Sequence, residues 1–253
     1  MQRIKQKLHM NKNRVARLGL LCFGLLWMTC VQGQKDLSNR GKEFWVSYPF
    51  NWFFENGNSQ EMVLYFSAEE DAVVTLTSHV GANTWTRTYT VPAGTVTISD
   101  YIPKSGLYDS RLYDFAYPAG NGGQGVYNKA IHIESTTPIV AYAHYIGSAT
   151  SGASMLFPVE AYGYVYTTLN NKNFYGSQPA NTYFYVMASH DNTVVEITPK
   201  VLTRSELPAA PGGRPAGAPF TVTLNRGQSF QAIARVTAGD LTGSKIRSIA
   251  NSA

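Results

Sequence analysis

The feature that most constrains this chain is a stretch that occurs twice. Residues 62–77 read MVLYFSAEEDAVVTLT and residues 183–198 read YFYVMASHDNTVVEIT. In both, a run rich in β-branched and aromatic residues reaches an acidic turn, and a Val-Val pair opens a second run of the same kind. Asp71 aligns with Asp191, Val73 and Val74 with Val194 and Val195, and Leu76-Thr77 with Ile197-Thr198, with one residue inserted in the second copy. Side chains on a strand alternate between two faces, so two alternating runs joined by a short polar turn predict a β-hairpin.

The likeness continues beyond the hairpin. Residues 88–94 (TYTVPAG) align with 221–227 (TVTLNRG), which sets Gly94 against Gly227 at a turn between strands. Residues 133–138 (IESTTP) align with 249–253 (IANSA), so the second copy stops before any counterpart of the apolar run 139–145. On this alignment the chain reads as cut short inside its second copy. Repeats of this length are too long for solenoid units and suit two β-domains or two halves of one double domain.

Composition supports an all-β reading: 16 Tyr, 12 Phe and 22 Gly stand in a chain of low charge, and no long stretch carries the 3.6-residue period of an amphipathic helix. Strands are expected near residues 43–48, 62–67, 72–77, 84–91, 95–101, 129–134, 139–145, 154–157, 182–189, 193–198, 220–224, 229–235 and 244–249. Many short strands with turn residues between them predict two related antiparallel β-sandwich-like domains, residues 34–170 and an incomplete 171–253. A propeller is the structural alternative.

Residues 1–33 have the layout of a secretory signal peptide: six Lys/Arg and no acid before Leu18, an apolar core over 18–28, and a small-residue site, Val31-Gln32-Gly33, with cleavage expected before Gln34. The core is short for a membrane span, which needs about twenty apolar residues. Removing six basic residues from 21 leaves 15 against 16 acidic ones, so the mature chain is near neutral and gives no reason to expect nucleic acid as a partner. Cys22 and Cys30 fall in the same segment, which leaves a mature chain with neither disulfide nor thiol chemistry. The remaining 220 of 253 residues suffice for a buried core without such staples.

Two loops stand out. Residues 103–127 carry Gly120-Asn121-Gly122-Gly123 and five aromatics and read as an insertion between strands of the first copy. Residues 200–219, rich in Pro, Ala and Gly, read as a mobile loop. A domain boundary is expected around residues 170–179, after the aromatic run 162–166.

Catalytic chemistry finds little footing. His132 and Glu134 share a strand face and His144 falls on what reads as the next strand, a conceivable zinc set, but no fourth ligand is evident and the bland reading is a polar sheet face. Asp191 is best read as an Asp bonded to its own turn. Gly-X-Ser-X-Gly is absent, and the scattered acids Glu69, Glu70, Asp109, Asp114 and Glu134 show no pairing that sequence can establish. No catalytic residue, metal or cofactor is therefore assigned. Loop aromatics are the better resource: Trp52, Phe53 and Phe54 in a loop of Asn, Gly and Ser, and Tyr108, Tyr113 and Tyr117 in the Gly-rich insertion. On a rigid β scaffold such rings present flat amphipathic surface to a sugar or a protein; the alternative is that they fold back and cap the sandwich. Trp45 and Trp85 sit in alternating strands and are expected in the core.

Gly41-Lys42-Glu43-Phe44-Trp45-Val46, the hairpin over 64–71, Pro138-Ile139-Val140-Ala141-Tyr142 and Asp240-Leu241-Thr242-Gly243-Ser244 together resemble the IgGFc-binding protein N-terminal domain family, found in mucus-associated animal glycoproteins and in exported proteins of Bacteroidetes-type bacteria. The resemblance implies a non-enzymatic binding or adhesion module, secreted or on the cell surface. Its expected partner is an extracellular protein or glycan, with host mucin and immunoglobulin as the examples the family supplies. It carries no residue-level Fc motif to this chain. A structural spacer within a larger surface protein, and a carbohydrate-active enzyme without recognisable motifs, are the alternatives.

Overall fold

Alternating apolar and polar residues become strands almost throughout the computed structural model, which describes residues 38–250 apart from 52, 54–56, 58, 114–122, 148–150, 172, 176–177, 207–208 and 238. The signal-peptide reading, with Cys22 and Cys30, lies outside the described residues. In chain order, β1 (Gly41–Val46), β2 (Glu61–Ala68), β3 (Ala72–Val80), β4 (Asn83–Val91) and β5 (Val96–Ile98) lead to a 3₁₀ turn at Gly106–Tyr108. β6 (Gly125–Tyr127), β7 (Ile131–Ile146) and β8 (Ser151–Met155) lead to a second 3₁₀ turn at Val159–Ala161. β9 (Val165–Thr167), β10 (Asn173–Tyr175), β11 (Gln178–Ala180), β12 (Tyr183–Met187), β13 (Thr193–Thr198), β14 (Phe220–Leu224), β15 (Ser229–Ile233) and β16 (Lys245–Ala250) complete the order. The fold is all-β with antiparallel ladders, as the residue pattern predicts.

The first half is organised around β7. Its residues 131–135 pair with β3 and with β1, while residues 139–146 pair with β2, and those from Tyr142 onward also with β8. β3 is flanked in turn by β4, and β2 by β5. The sequence reads residues 129–134 and 139–145 as two strands with Pro138 between them, but β7 runs straight through. Pro138 falls between the segment paired with β3 and the segment paired with β2, where its missing N–H breaks no ladder on that side. Inward residues of this sheet, among them Phe44, Leu64, Phe66, Val74, Leu76 and Ile133, meet in one buried cluster.

In the second half, β13 lies between β14 and β16, β16 pairs with β9, and β12 pairs with β15, which pairs with β6. Phe184, Ile197, Leu224, Phe230 and Ile246 form its core. The same turn appears in each half. Gly94 N–H donates to the Ala68 carbonyl and Gly227 N–H to that of Ala188, both at 2.9 Å. The Asp71 carboxylate accepts from the Ala93 N–H at 2.8 Å, and that of Asp191 from the Arg226 N–H at 2.9 Å. Each aspartate thus bonds a backbone N–H of the neighbouring turn. Leu76 pairs with Ile133 and Ile197 with Ile246, so strand pairing sets Ile133 against Ile246, not the Ile249 chosen by sequence alignment.

Leu37–Ala253 forms one compact unit. β9, on the near side of the expected boundary, pairs with β16, and β6, from the expected insertion, adds to the sheet of β15. A third cluster of Phe50, Tyr113 and Ile233 joins residues from both halves. The loop over 200–219 is irregular, as its composition dictates, yet it is firmly anchored. Thr203 and Arg204 are buried, Arg204 donates to Asn181 Oδ1 at 2.9 Å and lies over the Phe50 ring, and Arg214 clamps Glu206 through two bonds of 3.0 Å.

Candidate functional site

Strand alternation fixes which side of β12 is paired. The Thr182 carbonyl accepts from Ala234 N–H, and Ala188 N–H donates to the Gln228 carbonyl, so every second residue between them faces β15. The N–H and C=O groups of Tyr185 and Met187 point the other way, to an edge where no strand is seated among the described residues. The Tyr183 carbonyl on this edge accepts from Asn170 Nδ2 at 2.6 Å.

Beside the open edge lies a groove of about 370 Å³ with a mainly apolar lining. Phe184, Val186, Ile246, Tyr166, Phe157 and Trp45 are among the residues that line it. Phe157, Tyr166 and Met155 are 53%, 45% and 40% exposed, so the rim presents large apolar groups to solvent. Tyr162 and Tyr185 help hold the walls together: burial raises both phenols above their ordinary pKa, and each hydroxyl bonds to backbone, Tyr162 to that of Trp45 and Tyr185 to that of Ser47. Ser47 Oγ also donates to Met187 Sδ at 3.8 Å and accepts from Ser229 Oγ at 2.7 Å.

Trp45 is fixed from several directions. Its ring stacks on His132 with centroids 4.2 Å apart, the Arg226 guanidinium lies 5.5 Å from its ring centroid, and its Nε1–H donates to Glu43 at 3.3 Å. Glu43 accepts in addition from His132 Nε2 at 2.9 Å and from an Arg226 amine at 2.8 Å. Partial burial works against the Glu43 carboxylate, but the His132 and Arg226 bonds outweigh it and hold its pKa below the usual value.

The residues proposed from sequence fare unevenly. Trp52, Phe54 and Tyr117 lie outside the described residues. Phe53 is half-buried, its N–H bonded to Asn51 Oδ1 at 2.9 Å, and Tyr108 is 42% exposed in the first 3₁₀ turn. Tyr113 departs from the expectation: it is 4% exposed and packs on Phe50, so its ring holds the two halves together rather than meeting a partner. His132 and His144 are both on β7, twelve residues apart, a separation of about 40 Å at the rise of a strand. They do not converge: His132 is engaged by Glu43, with Glu134 3.6 Å from its other nitrogen, and His144 lies against Tyr65. The groove residues Phe157, Tyr166, Tyr185 and Met187 escaped sequence reading. Their only signal was the aromatic run over 162–166, which marks a wall of the site and not just the approach to a boundary.

An all-β unit with an apolar groove along an unpaired strand edge has the geometry of a binding module. The family model of the IgGFc binding protein matches residues 152–252, so this part of the chain is similar to that family. That match covers the second half and every residue lining the groove except Trp45, and of the four motifs behind the resemblance it contains the one at 240–244. No curated protein matches the chain. Among solved structures, that of Thermotoga maritima 1070 is 13% identical over 47% of this chain and 96% of its own, with a TM-score of 0.29. The Penaeus vannamei nodavirus T=1 structure is 9% identical over 84% of this chain and 82% of its own, with a TM-score of 0.21. Similarities of this size place the chain in neither fold. No helix among the described residues is long and apolar enough to cross a membrane.

Proposed function

We propose that this chain is a non-enzymatic, secreted or cell-surface binding and adhesion module that captures an extracellular protein. The observation that carries the reading is the exposed apolar groove along β12, within the part of the chain that matches a family of binding proteins. The signal-peptide pattern of residues 1–33 supports export. Tyr108 and Phe53 provide a second surface in this reading, the one expected for a glycan.

The test is a binding screen of the full chain against immobilised mucin, matrix proteins and IgG Fc. A Phe157→Ala/Tyr166→Ala variant and a Tyr108→Ala variant run in parallel. Rim aromatics of a true site are energetic anchors, so the groove variant is expected to lose about tenfold or more in affinity. The Tyr108 variant separates glycan capture from protein capture. Absence of binding to every target, or equal binding by all three proteins, overturns the groove reading. Mass analysis of the exported protein, expected to begin at Gln34, tests the localisation.

A further inference from the structure

The core accounts for only part of the run over residues 138–142. Ile139 and Ala141 are buried in the first cluster, but Tyr142 stands on the opposite face of β7 and is 38% exposed. Strand pairing sets it in a row that crosses four strands. Ile98 on β5 faces Tyr65 on β2, Tyr65 faces Tyr142 on β7, and Tyr142 faces Met155 on β8. At a strand spacing of about 4.8 Å the row runs for about 14 Å. Ile98, Tyr142 and Met155 are exposed and Tyr65 is half-buried. His144, diagonal to Tyr65 across the β2–β7 ladder, sets its ring centroid 5.3 Å from that of Tyr65. Three rings thus form an open shelf on the outer face of the sheet. The phenols of Tyr48 and Tyr145, on other sides of their strands, donate to backbone carbonyls. The Tyr65 and Tyr142 hydroxyls and the His144 ring nitrogens have no hydrogen-bond partner among the described residues. One step along the same ladders Ser67 faces Val140, beside a recess of about 370 Å³ that Gly94, Arg40 and Glu69 also line. The Arg40 guanidinium and the Glu69 carboxylate pair there, each with much of its side chain open to solvent.

We propose that this shelf and its recess bind a neutral glycan, with the flat faces of β-linked pyranose rings lying on Tyr142, Tyr65 and Ile98 and hydroxyls reaching the Arg40–Glu69 pair. Each part supplies one element of sugar recognition. The face of an aromatic ring is electron-rich and attracts the axial C–H groups of a pyranose whose hydroxyls are equatorial. The unpartnered phenol hydroxyls and the His144 ring edge then offer donors and acceptors to the hydroxyls around that ring. A guanidinium beside a carboxylate presents donors and acceptors together, which matches neighbouring sugar hydroxyls that both donate and accept. Charge selects among glycans. The row holds no charged side chain, and Arg40 and Glu69 neutralise each other, so an uncharged chain fits better than a sialylated or sulfated one. Shape selects against an acyl chain, which is best buried in an enclosed cavity, whereas the shelf is open along its length. The site is distinct from the groove proposed for protein capture and meets it only at Met155, which ends the row and lines the groove.

The probes are cellohexaose and N-acetylchitohexaose, titrated into the full chain by calorimetry, with saturation-transfer NMR to show which sugar protons touch the protein. Saturable binding of at least one is expected, with the strongest transfer at axial ring protons. Tyr142→Ala should weaken it about tenfold or more, because it removes the most open ring of the shelf. Tyr142→Phe keeps that ring and should stay within about threefold of the parent. The Tyr108→Ala and Phe157→Ala/Tyr166→Ala variants, which leave the shelf intact, should bind the oligosaccharide as the parent does. Circular dichroism confirms that each variant is folded. Binding of neither oligosaccharide overturns the proposal, as does parental affinity in Tyr142→Ala. Equal losses in Tyr142→Phe and Tyr142→Ala overturn stacking on the ring, and a loss confined to Tyr108→Ala moves the glycan to that loop. If neither sugar binds and Tyr142→Ala instead abolishes capture of a protein target, or dissolves a dimer seen by light scattering, the shelf belongs to a protein partner or a second copy. The groove reading stands or falls separately, on the Phe157→Ala/Tyr166→Ala variant.

Discussion

Gly94 and Gly227 occupy corresponding turns with φ of 68° and 78°, and replacing each with alanine isolates what Trp45 adds at one of them. A Cβ in this left-handed region costs about 1–2 kcal/mol at either site. At Gly94 that is the whole penalty, because a Cβ there meets nothing within 4 Å. At Gly227 the Cβ would lie 2.8 Å from Trp45 Cζ3 and 3.1 Å from Cη2. The ring cannot swing away cheaply, since His132 stacks on it, Arg226 packs against it and Glu43 holds its Nε1–H. Overpacking of this kind costs about 1–3 kcal/mol more. For a chain of this size 1 kcal/mol corresponds to about 2–4 °C in melting temperature. Gly227→Ala should therefore melt below Gly94→Ala by about 2–12 °C, measured by circular dichroism with chemical denaturation in parallel. In a Trp45→Phe background the gap should shrink, because the smaller ring leaves room for the methyl group. Equal losses at the two glycines, or a gap that survives Trp45→Phe, would refute the close packing of Trp45 on the turn.

Acid should weaken the Glu43 cluster. A carboxylate whose folded pKa is lowered contributes stability above its unfolded value near 4.5 and loses it as pH falls through the folded value, so Glu43→Gln should flatten the stability profile in that window, read as melting temperature against pH. Alkali should act through buried phenols: burial lifts Tyr183 to about 12, so its contribution is complete below pH 10 and lost between there and about 12, and Tyr183→Phe should remove that part of the alkaline decline in denaturant titrations. Leu76→Ala and Ile133→Ala, on paired residues of β3 and β7, should each cost about 2–5 kcal/mol in urea unfolding, and a double variant should depart from additivity because the two are neighbours.

Period-two alternation made the strands themselves legible. β4, NTWTRTYTV, alternates half-buried and exposed residues over most of its length, and the Val-Val pairs fall in β3 and β13 as expected. Partner choice was not legible, because alternation tells which face is apolar and nothing about which strand lies alongside. Pro138 looked like a terminator, and only the switch of β7 from β3 to β2 shows why it is tolerated. The three residues of β6 sit in a Gly-rich stretch and pair with a strand about a hundred residues away, a contact that leaves no local trace. Tyr113 and Tyr108 read alike in sequence, yet one is buried on Phe50 and the other faces solvent. The groove was hidden for the same reason: its lining comes from residues as far apart in the chain as Trp45 and Ile246.

The position of β7 also dictates an order of events during synthesis. β1, β2 and β3 all emerge before the strand they pair with, and Gly41 must wait for Ile139. Of their ladders only the β3–β4 hairpin and the short β2–β5 pairing are available early. A nascent chain therefore presents unsatisfied strand edges until residues 131–146 appear, and its long-range pairings make closure slow. Such a delay makes β1–β3 the segment of a nascent chain most open to mispairing.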